Sequence, residues 1–589
     1  MLFSVSFLWV LTLKLQAQDA EISKKLKDFD PFVEKMLKEW NVPGCAVAIV
    51  KDQKIVFSKG YGFADLQSKR KMTPQTLFNI ASCTKAFTSA GVGKLVETGK
   101  VAWDKPAKNY IPDFQLFNQT LTDQVSPRDL LAHRTGISRH DNIWYESDLS
   151  RQEIVQRAKY LEPSLDFRAG YLYNNIMFLT AGYLIESQAN MKYEDFIRQE
   201  IFTPLEMTNS GFLGEKITQK PEMAQAYMDL FPTDDIMPVS IYQGNSIGPE
   251  GGIVSNVLDL SNWVTMQLNQ GKYKGKEIFQ ASTLAETHKP SNITATSAHL
   301  EYDELGYPMY GMGWRINLYR GHLMVGHNGN LKGFSATVNL LPKAGWGMVI
   351  LVNKGYSDFN TILYYNIADR ILGLKPVDWH SRFKPLFIKA QESALKARQN
   401  KGIEPTPNTK PSHQLVDYTG VFEHEAYPKV KIWEEKGELW MQYNSLKAPL
   451  KHYHYDVFES MEDKLWGKFI CNFYSNPQGE IDRLVIPIDE GEVIFQRGID
   501  TQLSKNETLK EYVGNYSDGS SSLKIKFEDE NTLVAEFSGA PPYHLLPFKP
   551  SVFKLAEFSD VRLEFVRDND GKIKALKWKD GNGVSEFKR

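Results

Sequence analysis

The first 400 residues alternate between two hydrophobic periods. From 22 to 40 the apolar side chains Phe32, Met36 and Trp40 stand four apart, which predicts a helix with one buried face. "GCAVAIVKDQKIVFSKGYG" then reads as a strand, a short turn and a second strand. "TLFNIASCTKAFTSAGVGKLVETGK" returns to helical period, with Phe87, Leu95 and Val96 on its apolar face and a stop at Gly99. The middle of the chain reads as helices joined by long loops. Strand patterns reappear at "YGMGWRI", "FSATVNLLP" and "WGMVILVN", and a helix is expected over 358–372. Strands at both ends with helices between them predict one sheet built from distant segments around a helical insertion.

Residues 386–400 read as a further helix, whose Phe387, Ala390, Ala394 and Leu395 need a surface to cover them. "KGIEPTPNTKPSH" follows and has linker composition. Beyond it the pattern is β-like and repeats. "YTGVF" at 418–422 matches "YVGNY" at 512–516, and the stretch ending at Arg497 matches the one ending at Arg589. Gly479 and Phe495 recur as Gly571 and Phe587 at the same separation. Two copies of one unit of this size, each with about eight short strands, predict two sister barrels.

Length and composition narrow the class. A chain of 589 residues exceeds one compact core. At 42% hydrophobic and 24% charged residues it has globular composition, and a net charge of −2 offers no footprint for nucleic acid. Three cysteines, Cys45, Cys83 and Cys471, make no disulfide framework. The apolar run Met1–Leu13, followed by Lys14 and Ala17, reads as a signal peptide over 1–18, cleaved near Ala17 or Gln18. The run is too short to span a bilayer, and no other segment approaches ~18 uninterrupted apolar residues, so no transmembrane segment is expected after cleavage.

Three short motifs carry the chemistry. In "SCTK", Ser82 and Lys85 stand three apart and share a helix face, so a neutral lysine there can accept the serine proton. That requires burial or nearby positive charge to disfavour the ammonium form. "FRAGYLYNN" places Tyr173 and Asn175 in a loop before a helix, and "MVGHNGN" places His327 and Gly329 at a strand mouth. Two decoys compete. "GNSIG" fits a nucleophile elbow at Ser246, but Pro249, Gly251 and Gly252 argue against the helix such an elbow needs. "HYHY" places His452 and His454 on one strand face with no third metal ligand in view.

Taken together, S-x-x-K, Y-x-N and H-x-G in this order resemble the penicillin-recognising serine hydrolases. The resemblance is to the branch of class C β-lactamases, DD-peptidases, D-aminopeptidases and related esterases. "SPRDLLAHRTGI", "GPEGGIVSNVLDLSNWV" and "YGMGW" resemble further segments of that branch. The resemblance implies an α/β (α+β) β-lactamase/transpeptidase-like catalytic domain over 22–375, its antiparallel sheet flanked by helices. A helix and linker over 376–412 and two small all-β, lipocalin-like barrels over 413–498 and 508–589 would follow. It implies Ser82 as nucleophile, Lys85 as its activating partner, Tyr173 as second proton carrier, Asn175 as the orienting amide and His327 as the third-motif residue. The backbone N–H groups of Ser82 and Asn330 would form the oxyanion hole. No cofactor and no metal are implied. The expected partner is a small peptide, amide or ester substrate, including peptides with a D-residue. Related alternatives are an esterase, a transacylase, a weak DD-peptidase and a catalytically silent envelope binding protein. Secretion or a periplasmic location is expected. In D-aminopeptidases accessory barrels border the active site, so the barrels here are expected to pack on the catalytic domain and narrow its cleft. Where β-lactamases of this branch carry lysine in the third motif this chain has His327, which implies poor β-lactam turnover.

Overall fold

The computed structural model describes residues 21–399 and 404–589, except 231–234, 245, 295–300, 462–467, 489–490, 499–502, 504 and 559, with backbone alone for 394–399. The signal peptide expected over 1–18 lies outside the described residues. The described chain forms two compact units, one ending at Lys401 and the other beginning at Gly402.

The first unit is organised around a nine-stranded sheet. Its strands are β1 Gly44–Lys51, β2 Lys54–Asp65, β3 Arg70–Lys71, β4 Asn292–Ile293, β5 Met309–Tyr310, β6 Arg315–Tyr319, β7 His322–Leu331, β8 Phe334–Leu341 and β9 Trp346–Val352. They lie in the order β4-β5-β6-β7-β8-β9-β1-β2-β3, and the pairings are antiparallel. The two ends of the domain thus meet at β1 and β9, where Cys45 faces Val352 and Lys51 faces Trp346. β1 is central and covered on both faces, which is why Cys45 to Val50 is an unbroken apolar run and not an alternation.

One face carries α1 Phe29–Glu39, α6 Phe359–Leu372 and α7 Trp379–Gln399. Phe29, Val33, Met36 and Trp40 meet Met348, Ile350, Phe359 and Ile362 in a single apolar cluster. α7 belongs to this core. The Trp379 indole N–H donates to Tyr319 Oη at 3.1 Å, and Phe387 meets the Trp40 ring at 5.2 Å. The surface that the helix pattern calls for is therefore supplied, at Phe387, by the unit's own N-terminal region. Ala390 is exposed, and the side chains of Ala394 and Leu395 lie outside the described residues.

The other face packs on α5 Val257–Leu268. It sits so close that a Cβ on Gly347 would come within 2.3 Å of Val264 Cγ1. Beneath it lie α2 Thr84–Glu97 and α3 Asn175–Ala189. The one-sided apolar face expected for α2 is not what forms: Thr84 through Gly93 are all buried, so this is a helix enclosed on every side. Its small residues make that possible. Gly91 lies against Ile185 of α3, and Gly182 of α3 lies against Pro249 of the single-turn helix α4 Gly248–Gly251. That turn corrects the reading of "GNSIG". A proline near the start of a helix has no N–H to lose, so Pro249 begins the turn it was expected to forbid.

The second unit contains two closed eight-stranded barrels, Gly420–Arg497 and Gly514–Lys588. The repeat landmarks occupy equivalent places. A Cβ on Gly420 would meet Arg497 Nε at 3.0 Å, and a Cβ on Gly514 would meet Arg589 Nε at 3.0 Å. Each guanidinium also lies over the aromatic two residues beyond its glycine, Phe422 or Tyr516. The barrels touch through Lys549 with Asp417 and Arg562 with Glu480. No helix among the described residues is long and apolar enough to cross a membrane.

Candidate active site

Ser82 stands at the N-terminal end of α2, in a turn of 3₁₀ helix over Ala81–Cys83. Ala81 has φ 46°, in the left-handed region that a residue with a Cβ rarely adopts. The turn is held by Asn79, whose Oδ1 accepts from Ala81 N and whose Nδ2 donates to the carbonyls of Gly251 and Ile253. Ser82 is only half-buried, whereas Lys85, one turn on, is fully buried.

Ser82 Oγ accepts from Lys85 Nζ at 3.1 Å and from Tyr173 Oη at 2.8 Å. Lys85 Nζ also donates to Asn175 Oδ1 at 2.8 Å. Asn175 opens α3, Asn174 caps it, and the amide of Asn175 donates onward to Asp141 Oδ1 at 3.0 Å. Five residues from three distant segments, Ser82 and Lys85, Tyr173 and Asn175, and Asp141, thus meet in one hydrogen-bonded cluster. The Tyr173 ring rests on His133 at 4.4 Å between centroids, with the Arg139 guanidinium 5.1 Å away. His133 accepts from Asn174 N–H through Nδ1, so it locks the loop that presents Tyr173. Burial first, then the charge of Lys85, holds His133 well below the usual histidine range, so it is a neutral prop.

His327 lies inside β7, a longer strand than the sequence pattern suggests. It is buried, its Nδ1 is 2.6 Å from the Asn328 carbonyl, and its Nε2 is 2.9 Å from Tyr310 Oη. A carbonyl only accepts, so Nδ1 carries the hydrogen and Nε2 accepts from Tyr310. Burial, followed by Arg315 and Lys85, holds the ring neutral well below the usual range. Its side chain bonds Tyr310 and does not bond Ser82. Next to it, a Cβ on Gly329 would fall 2.2 Å from Ile80 O and 2.9 Å from Ser82 N. Only glycine lets the strand approach the Ser82 turn this closely, and Asn330 follows it on the same strand, opposite Ser335. β6 pairs with β7 only as far as Gly326, so among the described residues the edge of 327–331 on that side has no strand partner.

Two residues near Ser82 were not singled out from sequence. Glu250, in α4, is 3% exposed and binds Lys85 Nζ twice, through its carbonyl at 2.9 Å and its Oε2 at 3.0 Å. Of the two conditions named for a neutral Lys85, burial is met, while the charged group bound to its Nζ is a carboxylate. Arg315 of β6 has no ion-pair or hydrogen-bond partner among the described residues and lies in electrostatic range of Tyr173, Tyr171 and Tyr310. Glu250 stands in a stretch that resembles a family segment and Arg315 directly follows one, but nothing in their spacing points at residue 82.

The competing candidates separate from this cluster. Cys83 Sγ donates to the His327 carbonyl at 3.0 Å, and burial pushes its thiol up to about 12, which suits packing and not attack. Ser246 neighbours Arg151 and Tyr242. His452 and His454 turn to separate backbone groups, at Tyr455 and Thr406, and no metal-binding group occurs among the described residues.

Both units of the chain match known protein families. The Beta-lactamase family model matches residues 29–371, and a domain of unknown function, DUF3471, matches 404–498. Unguisins hydrolase ungD' of Aspergillus campestris is 31% identical over 437 residues, covering 70% of this chain and 79% of that protein. Protein flp of Staphylococcus aureus is 28% identical over 337 residues, covering 56% of this chain and 63% of flp. The octameric penicillin-binding protein homologue from Pyrococcus abyssi shares the fold at TM-score 0.53 and 20% identity, covering 80% of this chain and 99% of that one. With its family match spanning more than half of its length, the chain belongs to the Beta-lactamase family.

Proposed function

We propose that the protein is an exported serine hydrolase that cleaves an amide or ester through an acyl-enzyme on Ser82. The observation that carries this reading is the double contact at Ser82 Oγ, with Lys85 Nζ at 3.1 Å on one side and Tyr173 Oη at 2.8 Å on the other. A nucleophile needs a group to take its proton and another to supply one to the leaving group, and the two contacts answer to those needs. In this scheme Lys85 accepts the Ser82 proton and Tyr173 protonates the departing amine or alcohol. Water then releases the acyl group. Asn175 orients Lys85, His327 holds Tyr310 and the strand edge in place, and the N–H groups of Ser82 and Asn330 receive the oxyanion. Support for the last point is the glycine-only approach of β7 to the nucleophile turn.

Two features favour a peptide as substrate. The unpaired edge of β7 beside Ser82 offers backbone groups to an extended chain. Arg315, a cation without a partner among the described residues, suits a substrate carboxylate, as a carboxypeptidase-like reaction or a short D-residue peptide would provide. The residues present call for no cofactor in this scheme. Export rests on the apolar segment at the N-terminus. The test is turnover of a p-nitrophenyl ester and of a D-amino-acid p-nitroanilide by the full chain and by Ser82→Ala. Hydrolysis that disappears in the variant is expected. Undiminished hydrolysis by Ser82→Ala would overturn the reading, and no turnover of any ester or amide by the full chain would favour a binding protein.

A further inference from the structure

The buried carboxylate of Glu250 has no role in the three motifs, yet it is the most tightly built part of the site. Pro249 is wedged against Gly182 of α3, where a Cβ would come within 2.0 Å of the proline ring. The Pro249 carbonyl accepts from Thr88 Oγ1 at 2.5 Å, and Thr88 in turn meets Tyr193 Oη at 2.7 Å. α2 and α3 therefore clamp the turn that delivers the carboxylate to Lys85. Of its two oxygens, Oε2 binds Lys85, while Oε1 is buried with no hydrogen-bond partner among the described residues. A residue needed only to fill space would be apolar here, and a carboxylate needed only for structure would have both oxygens satisfied.

The acceptors around Lys85 define a chemical problem. Its Nζ faces Ser82 Oγ, Asn175 Oδ1, Glu250 O and Glu250 Oε2. As an ammonium it has three hydrogens to donate and no lone pair to receive the serine proton. We propose that Glu250 is a proton-holding partner of Lys85, taking one proton from the ammonium before acylation and returning it afterwards. The inference rests on the proposed acyl-enzyme reaction at Ser82.

The protons balance. Transfer from Nζ to Oε2 turns an ammonium and a carboxylate into an amine and a carboxylic acid, with no change in net charge inside the buried site. The amine then takes the Ser82 proton as the bond from Oγ to the substrate carbonyl carbon forms. When the carbonyl–leaving-group bond breaks, the leaving group takes a proton from Tyr173, the Lys85 ammonium replaces it, and Glu250 gives its proton back to the amine. The serine proton has moved to the leaving group, and the pair ends as it began. Glu250 acts through Lys85, so it is a positioning and proton-holding residue.

The charged and titratable groups facing Glu250 are Lys85, Arg139, Asp141, Tyr242 and Tyr356. Arg151, Glu194 and Glu186 lie at the start of the turn, and His133 and His327 face Lys85. Burial pushes Glu250 above the usual carboxylate range, with Lys85 opposing it. Both histidines stay neutral through the working range, so neither sets an acidic limb.

The experiment compares kcat/KM for a p-nitrophenyl ester between pH 5 and 10 in the full chain, Glu250→Gln and Glu250→Asp. In the parent chain the pair works with one shared proton and is stopped by a second, added at acid pH. In Glu250→Gln even one proton on Lys85 blocks the reaction and must leave to solvent, so the acidic limb moves up. The expected result is a loss of about 30-fold or more at pH 7, an acidic midpoint raised by about one unit or more, and recovery to within about threefold near pH 9.5. The recovery also shows that the variant is folded. Glu250→Asp keeps a carboxylate and is expected to keep the parent midpoint at a reduced rate. A Glu250→Gln profile lowered by a constant factor, or unchanged, would overturn the proposal, as would a shifted midpoint in a folded Glu250→Asp. Retained ester turnover in Ser82→Ala, run in parallel, would instead overturn the acyl-enzyme reading on which the proposal stands.

Discussion

At the scale of single residues, the third motif carries the expectation of poor β-lactam turnover. His327 is neutral and bonded to Tyr310, so its side chain brings no positive charge to the carboxylate of a β-lactam. Losing one charge-assisted hydrogen bond costs about 1.5–3 kcal/mol, roughly ten- to a hundredfold. Nitrocefin turnover is accordingly expected to fall at least about tenfold below that of a good ester. Because burial lowers His327, the deficit is expected to stay constant from pH 8 down to pH 5.5 and not to close as the solution becomes acidic. Nitrocefin hydrolysed as fast as the ester, or a deficit that vanishes near pH 6, would contradict this role. Ser82 with Lys85, Tyr173 with Asn175, and His327 with Gly329 could be read along the chain because the members of each pair stand two or three positions apart. Glu250 could not. It stands 165 positions from Lys85, and only the packing of Gly182 on Pro249 brings it there.

At the scale of elements, the strand pattern was readable where alternation or long apolar runs dominate, as in β1, β8 and β9. It failed where tertiary enclosure overrides local period. α2 has no polar face because it is surrounded, and α4 is a single turn stabilised by its clamp. The segment "SPRDLLAHRTGI" shows how such enclosure is maintained. Asp129 is fully buried and bonded to Ser126, Arg134 and Arg168, closing the capping box that begins the helix Pro127–Leu131 and fixing the loop that carries His133. Burial alone would raise this carboxyl, but the hydrogen bonds from Arg168, Ser126 and Arg134 outweigh it and hold it below the usual range. Its folded-state pKa is depressed, so its contribution is complete above the unfolded value of about 4 and is lost as pH falls through the lower folded value. Asp129→Asn is expected to cost about 2–3 kcal/mol in urea unfolding at pH 7, less than the ~3–5 kcal/mol of a fully buried pair because Arg168 is partly exposed. The difference from the parent should shrink below pH 4. A cost under about 0.5 kcal/mol at pH 7 would mean that the network contributes nothing beyond surface pairing.

At the scale of the whole molecule, the repeat landmarks were legible because Gly420 with Arg497 and Gly514 with Arg589 preserve one contact in two copies. The end of the catalytic unit was less so. Trp379 and Phe387 belong to its core, so a chain ended at Lys375 would remove part of that core, whereas one ended after Gln399 retains it. The expectation drawn from the sequence, that the barrels restrict which substrates reach Ser82, is open to a direct test. In a chain ended after Gln399, the ratio of kcat/KM for bulky over small esters should rise severalfold while circular dichroism shows an intact fold. An unchanged ratio would leave the barrels as binding modules with no part in selection.

The central claim is that Ser82 is the covalent nucleophile, and active-site labelling tests it most directly. The full chain is incubated with a fluorophosphonate probe, digested, and the modified peptide identified by mass spectrometry. A single adduct on the peptide containing Ser82, absent from Ser82→Ala, is expected. An adduct on Ser246, or labelling that persists in Ser82→Ala, would contradict it.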